Sequence, residues 1–317
     1  MIRRLKARDG VSLAYYRYVV QERATDAVQE TKPKVFFSHA TGFHGRVFDT
    51  TIRFLGDKYT CYSMDHRGHG RSGWNGDAPL HWIAFADDLL EVSHECCGEE
   101  KMVGVGHSMG AAALLMAALK KPEKFSALVL YEPIIFPPEM RMLFGLRDES
   151  PLAVLAKKRR DAFASYDEAL SNFSKKPPMN AFDTSVLRDF VMHGLAPESA
   201  GFNCSPPDED GHIDSKNGPV YLRCKRENEA SVYNSSLMHT TWNDLPNVSV
   251  PTVVLAGKFE LTQPSMFAQR LARRIPGSQF TRWDNHSHFG PFEDPMGFAN
   301  AITAAPRRVD IPQCELV

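Results

Sequence analysis

A serine inside a glycine-flanked pentapeptide is the strongest chemical signal in the chain. The segment "GHSMG" (106–110) joins a predicted strand, "KMVGVGHS" (101–108), to a segment of strong helix formers. A strand-to-helix turn this tight forces its central residue into a strained conformation, and side chains in place of Gly106 or Gly110 would collide with the backbone. We therefore expect Ser108 to project above the sheet as a nucleophile.

A serine hydroxyl needs a base to accept its proton, and a histidine near the C-terminus is placed to act as one. His288 follows the last predicted strand, and its neighbour His286 is the alternative. The imidazole in turn needs a carboxylate that orients it and stabilises its charged form. Glu260 follows the strand "VPTVVLAG" (250–257) and holds the acid's place in the chain order serine, acid, histidine. These residues predict a Ser108–His288–Glu260 triad.

Acyl transfer also requires hydrogen-bond donors for the negative charge that develops on the carbonyl oxygen. The backbone N–H of Met109, directly after the nucleophile, is the first expected donor. The second is expected from Thr41 in the loop "HATGFHG" (39–45), where Gly42 lets the chain turn.

The elements around these residues alternate between strand and helix, which predicts a mostly parallel sheet with helices on both faces. Strands are expected at 11–20, 34–40, 59–65, 101–108, 126–133, 250–257 and 278–285, and helices at 46–55, 82–96, 109–121, 265–275 and 294–304. The rhythm stops at residue 137. We expect residues 1–136 and 249–317 to form the core and 137–248 an inserted, mainly helical cap, with helices at 152–173 and 185–195 and a loop around 197–219.

Taken together, these motifs resemble the α/β-hydrolase family. "GHSMG" resembles its nucleophile elbow, "DHRGHGRSG" (65–73) its loop after the fourth strand, and "HSHFGPFEDP" (286–295) its closing histidine segment. "LAGKFEL" (255–261) resembles its acid segment with glutamate in place of aspartate, and "HATG" (39–42) departs from the usual HG-x-G at Ala40. The resemblance implies the α/β-hydrolase fold and covers the predicted core but not the cap.

The resemblance also raises a second candidate for the acid. Some members of the family place this carboxylate one strand earlier, directly after the strand that follows the elbow helix. Glu132, in "LVLYEPI" (128–134), holds that position here. We favour Glu260, with Glu132 as the alternative.

A capped serine hydrolase is the activity that these residues imply. The expected substrate is a small or medium-sized carboxylic ester, with Phe43, Trp74 and Phe136 as candidate pocket residues. A lactonase or a C–C bond hydrolase of the same fold is an alternative, and so is a ligand-sensing receptor with little turnover.

Composition excludes several other classes of protein. With 37 basic and 38 acidic residues, the chain offers no charge excess for nucleic acid. We find no run of apolar residues long enough for a membrane span, no signal-peptide pattern and no paired cysteine framework, so we expect a cytoplasmic protein with reduced thiols. No metal or organic cofactor is expected, because phosphate-loop and HExxH patterns are absent. No feature of the sequence specifies an oligomeric state.

Overall fold

The computed structural model describes residues 2–18, 32–74, 76, 80–145, 148–197 and 218–309. Its eleven strands within these ranges are β1 (Ile2–Lys6), β2 (Ser12–Tyr18), β3 (Lys34–Ser38), β4 (Thr60–Met64), β5 (Met102–His107), β6 (Phe125–Tyr131), β7 (Ala162–Phe163), β8 (Leu195–Pro197), β9 (Val220–Leu222), β10 (Thr252–Gly257) and β11 (Gln279–Trp283). The α-helices described are α1 (Asp49–Leu55), α2 (Trp82–Cys97), α3 (Met109–Lys120), α4 (Pro138–Gly145), α5 (Pro151–Lys158), α6 (Tyr166–Phe173), α7 (Thr184–Gly194), α8 (Arg226–Ser235), α9 (Ser265–Ala272), α10 (Gly290–Glu293) and α11 (Pro295–Val309).

Eight of these strands form one sheet in the order β1-β2-β4-β3-β5-β6-β10-β11. The pairs β1–β2 and β2–β4 are antiparallel, and every pair from β4 to β11 is parallel. Strands β5 and β10 are buried along their whole length, which explains their uninterrupted apolar sequences. The carboxyl ends of β5, β6, β10 and β11 consequently meet at one edge, where the candidate catalytic residues follow them.

Helices cover both faces of this sheet. Helices α2, α3 and α9 pack one hydrophobic cluster, which includes Phe85, Leu114 and Leu271. Helices α1 and α11 pack the other, which includes Ile52 and Phe298. The predicted fold class, a mostly parallel α/β sheet between two helical layers, is confirmed.

Between β6 and β10 lies a segment with its own small sheet, which we call the insertion (138–235). It contains helices α4 to α8 and the three strands β7, β9 and β8, paired in that order. Its place in the chain matches the expected segment 137–248, and its role as a cap stays a prediction. Most of the loop expected around 197–219 lies outside the described residues.

The single helix predicted over 152–173 is wrong. Helix α5 ends at Lys158, strand β7 pairs with β9, and α6 begins only after Ser165, whose hydroxyl accepts the Glu168 N–H at 3.1 Å. Tertiary pairing of a two-residue strand and an N-cap serine thus outweigh the helical propensity of the segment. Strand β1 was not predicted, because its charged residues obscure the alternation of a half-exposed edge strand.

Two further observations bear on sequence-based expectations. In the described parts of the chain the free cysteines are Cys61, Cys96, Cys97 and Cys224, as expected of reduced thiols. No helix in those parts is both long and apolar enough to cross a membrane.

Candidate active site

Ser108 occupies the sharp turn that the sequence predicts between β5 and α3. Its backbone has φ 56° and ψ −115°, a conformation that a non-glycine residue adopts only at a cost. The Ser108 N–H donates to the Tyr131 carbonyl at 2.9 Å, and its own carbonyl accepts the Ala112 N–H at 3.1 Å. The strand–turn–helix context expected of a nucleophile elbow is therefore present.

The glycines of this turn are required by close backbone approaches. A Cβ at Gly110 would lie 2.2 Å from the Ser38 carbonyl oxygen, and one at Gly106 would lie 2.7 Å from the Ala111 Cα. Both contacts involve backbone rather than flexible side chains. The two positions consequently let α3 start directly against β3 and the end of β5.

His288 is held by His107, the residue that precedes Ser108. The His107 and His288 rings lie 4.8 Å apart between centroids, and His107 Nε2 donates to the His288 carbonyl at 2.8 Å. Burial lowers the pKa of His107 well below its usual value, so this ring is neutral and carries its proton on Nε2. The Tyr131 hydroxyl also donates to the adjacent Ser287 carbonyl at 2.7 Å. Residues from β5 and β6 thus fix the loop between β11 and α10 (284–289), which we call the histidine loop.

The carboxylate that contacts His288 is Glu132. Its Oε2 lies 2.5 Å from His288 Nδ1, while its Oε1 accepts the Gly257 N–H at 2.8 Å. The Glu132 side chain is completely buried, and its backbone adopts φ 44°. Both carboxylate oxygens are therefore occupied, one by the imidazole and one by the end of β10.

The preference for Glu260 as this acid is corrected by the geometry. Glu260 is exposed and lies beyond the end of β10, where its backbone N–H donates to the Ser265 hydroxyl oxygen at 3.0 Å. The carboxylate after β6 instead lies between β5 and β10, under the histidine loop, and fills the place beside the imidazole. Because both glutamates follow strands that end at the same edge, chain order alone did not separate them.

His286, the alternative base, lies elsewhere on the same loop. Its ring packs on Trp283, with 5.3 Å between centroids, and its Nε2 is 3.9 Å from Asp294. The structure therefore brings His288 rather than His286 to the buried glutamate.

The two expected oxyanion-hole residues are in contact. Thr41 is buried, and its hydroxyl donates to the Met109 sulfur at 3.4 Å. Met109 is the first residue of α3, where backbone N–H groups have no partner inside the helix. The loop that carries Thr41 therefore contacts the start of α3, directly after Ser108.

The three candidate pocket residues fall into two groups. Phe43 lies among the rings of Phe182, Phe190, Phe289 and Phe292, between the insertion and the histidine loop. Trp74 and Phe136 pack instead against the hydrophobic cluster that contains Met109. Their role in binding a substrate stays a prediction.

Sequence reasoning missed the supporting residues around the triad. His107, Tyr131 and Gly257 hold the histidine loop and the glutamate, yet each sits inside an ordinary apolar strand. The one available signal was position, because all three stand at or next to the carboxyl ends of neighbouring parallel strands.

One group in the described residues has the composition of a metal site. Ligand atoms of Asp49, Asp189 and His193 lie within 4.8 Å of one another. Arg46 already donates to Asp49 at 2.6 Å, and Arg53 donates to Asp189 at 3.2 Å. The negative charge of both carboxylates is thus balanced by arginine.

With this geometry in place, comparison with known proteins identifies the family. The model of the alpha/beta hydrolase family matches residues 35–301, and the chain belongs to that family. Among curated proteins, monoglyceride lipase of Rattus norvegicus is 31% identical over 131 residues, which are 40% of this chain and 41% of the rat protein. Proline iminopeptidase of Saccharolobus solfataricus is 23% identical over 243 residues, 75% of this chain and 73% of that one. The matched region therefore spans less than half of the rat lipase.

Solved structures confirm the fold. The peroxisomal alpha-beta-hydrolase of Saccharomyces cerevisiae superimposes with a TM-score of 0.73 at 18% identity, covering 99% of this chain and 87% of that chain. E-2-(acetamidomethylene)succinate hydrolase superimposes with a TM-score of 0.70 at 17% identity, covering 96% and 98% of the two chains. At these identities the likeness concerns architecture only.

Proposed function

We propose that the protein is a serine hydrolase that cleaves a carboxylic ester bond through Ser108, His288 and Glu132. The observation that carries the proposal is the 2.5 Å contact between His288 Nδ1 and the buried Glu132 carboxylate. The ring of His288 also packs against that of His107, the residue before Ser108. A carboxylate in this place keeps the Nδ1 proton on the ring and leaves Nε2 free to act as a base.

The residues support a two-step acyl transfer. Ser108 Oγ attacks the ester carbonyl carbon while His288 Nε2 accepts the hydroxyl proton, and the imidazolium is stabilised by Glu132. The N–H groups of Met109 and Thr41 stabilise the resulting oxyanion. As the tetrahedral intermediate collapses, the proton passes to the leaving alcohol. Water then attacks the acyl-enzyme with His288 again as base, which releases the carboxylic acid and restores Ser108.

An ester is the substrate class that relatives support best. Monoglyceride lipases of rat and human are 31% and 29% identical to the chain over the matched residues. Their names concern those proteins, and the match covers less than half of each. We therefore propose small or medium-sized carboxylic esters, with the acyl group or alcohol bound between the core and the insertion.

The test is steady-state turnover of p-nitrophenyl acetate, butyrate and octanoate, together with a monoacylglycerol and a γ-lactone. We expect sustained ester cleavage in the wild type and its loss, by about a millionfold in kcat, in Ser108→Ala. Ser126→Ala changes an exposed serine on β6 and serves as the matched control. Faster turnover of the lactone would favour the lactonase alternative, and a single burst without turnover would favour a ligand sensor. Ester turnover that persists in Ser108→Ala would contradict the proposal.

A further inference from the structure

The loop after β3 that carries Thr41 and Gly42, which we call the oxyanion loop, lies against an ion pair of the insertion. A Cβ built on Gly42 would lie 2.7 Å from Glu229 Oε1 and 3.3 Å from Arg159 Nη1. Arg159, the residue after α5, donates through Nη1 to Glu229 in the first turn of α8. The Glu229 side chain is 8% exposed and that of Arg159 is 21% exposed. Charged groups of the insertion thus lie directly against the backbone next to Thr41.

Gly42 lies in a tight turn of the loop after β3. Its φ is +81°, and the Phe43 N–H donates to the Ala40 carbonyl at 3.1 Å, so Thr41 and Gly42 are the central residues of a turn. A positive φ at the third position is typical of a type II turn and favours glycine there. Burial raises the pKa of the Cys224 thiol, and a hydrogen bond with the Gly42 backbone opposes that rise. Cys224 and Glu229 therefore both contact Gly42 from the insertion.

Helix α8 is itself fixed to the core. The Asn228 side-chain amide donates to the Gly68 carbonyl at 3.3 Å, and the Trp82 indole N–H donates to the Val232 carbonyl at 2.9 Å. The Ser235 hydroxyl donates to the Leu80 carbonyl at 2.6 Å. These hydrogen bonds attach α8 to the core without involving the oxyanion loop. The position of Glu229 is therefore set by the core and not by that loop.

We infer that Arg159 and Glu229 are positioning residues for the oxyanion hole. They hold the Thr41–Gly42 turn so that the Thr41 N–H points toward the carbonyl oxygen of the substrate. Arg159 orients the Glu229 carboxylate through their ion pair, and Glu229 lies against Gly42. This inference rests on the proposed function and adds that the insertion completes the catalytic site as well as covering it.

The experiment measures Glu229→Gln and the double variant Arg159→Met with Glu229→Gln on p-nitrophenyl butyrate. The double variant is included because a lone buried arginine can destabilise the fold, whereas removing both charges avoids that penalty. Glu168→Gln is the matched control, since Glu168 forms the exposed ion pair with Arg160 on the same insertion. We expect kcat to fall about ten- to a hundredfold in both variants, as for partial loss of one oxyanion donor, with KM changed less than about threefold.

A second readout separates positioning from general stability. Butylboronic acid forms a tetrahedral adduct with an active-site serine, so its inhibition constant should rise by about the same factor as kcat falls. The thermal midpoint of the double variant should stay near that of the wild type. Unchanged kcat and boronate affinity in both variants would overturn the inference, as would losses that follow the thermal midpoint alone. A wild type that cleaves no ester would instead overturn the proposed function, and this inference with it.

Discussion

At the scale of single residues, the site depends on how Glu132 divides its two oxygens. Oε1 accepts the Gly257 N–H and Oε2 contacts His288. Because the first bond needs an acceptor and the second needs a negative or accepting group, only a carboxylate satisfies both at once. The two hydrogen-bond partners of Glu132, and not its position in the sequence, therefore explain why a glutamate stands there.

This division predicts the result of an amide substitution. In Glu132→Gln the carbonyl oxygen accepts the Gly257 N–H, and the NH₂ group faces Nδ1 of His288. The ring is then driven to the tautomer with its proton on Nε2, which cannot accept a proton from Ser108. We expect kcat to fall by about four orders of magnitude, measured on p-nitrophenyl butyrate.

The control for that prediction is the same change at the exposed glutamate. Glu260→Gln should leave kcat within about twofold of the wild type, because its side chain lies outside the triad. The opposite pattern, with Glu260→Gln inactive and Glu132→Gln active, would contradict the assignment.

Site residues marked by a local sequence pattern were easier to predict than the contacts between residues far apart in the chain. Ser108 was predicted because steric demands on its turn leave a local pattern of glycines. Met109 was predicted as the residue directly after that serine, and Thr41 as a residue of the loop that follows the strand at 34–40. The acid was not resolved, because the choice between Glu132 and Glu260 depends on which strand end lies below the histidine loop, and that is set by contacts across the sheet.

At the scale of elements, the site depends on how closely β10 approaches the loop after β11. A Cβ on Gly257 would lie 2.4 Å from the Ser287 carbonyl oxygen and 2.6 Å from that of His286. The Lys258 N–H also donates to the His286 carbonyl at 2.7 Å. The strand end and the histidine loop are therefore packed backbone against backbone.

Adding one methyl group at this contact should move the loop. We expect Gly257→Ala to displace His288 from Glu132 and lower kcat by about a hundredfold, as misplacement of a catalytic group by about 1 Å does. Circular dichroism and kcat on p-nitrophenyl butyrate provide the measurement. Gly145→Ala is the control, because nothing lies within 4 Å of a Cβ there. Equal activity in the two variants would show that the loop adapts without cost.

The elements of the core were predictable because burial on both faces leaves continuous apolar strands and strongly periodic helices. The insertion was less predictable. The segment "RRDAFAS" (159–165) has no pattern that separates a helix from a short strand, and pairing of β7 with β9 decides its structure.

At the scale of the whole molecule, buried histidines determine how the free energy of unfolding depends on pH. Burial lowers the pKa of His39, His44 and His239 to about 4 and that of His69 to about 3. The unfolded chain, with histidine pKa values near 6.5, therefore binds more protons than the folded chain as the pH falls below that value. Protonation thus favours unfolding between about pH 6.5 and 4.

Three largely buried carboxyls act in the opposite direction. Burial raises the pKa of Asp49 and of Asp88 to about 6 and also raises the pKa of Asp189, so the folded chain binds more protons at these sites as the pH falls toward 3.8. The histidines outnumber them. The net free energy of unfolding should consequently decrease as the pH falls through this range.

We therefore expect the thermal midpoint to fall steadily from pH 6.5 to 4.5. Scanning calorimetry across this series is the measurement. His239 lies outside the candidate site, with its ring stacked on Trp82, so His239→Gln should make the decline shallower without changing ester turnover. A midpoint that rises on acidification would show that the carboxyls dominate.

The placement of Glu132 on β6 has a consequence for protein engineering. Ser108 and Glu132 follow the hydrogen-bonded neighbouring strands β5 and β6, so the turn after β10 contributes no side chain to the proposed triad. Its side chains Phe259, Glu260 and Leu261 are exposed. We accordingly expect that a fluorophore or a short affinity tag can be inserted in that turn, beside the proposed active site, while the contact between glutamate and histidine is preserved.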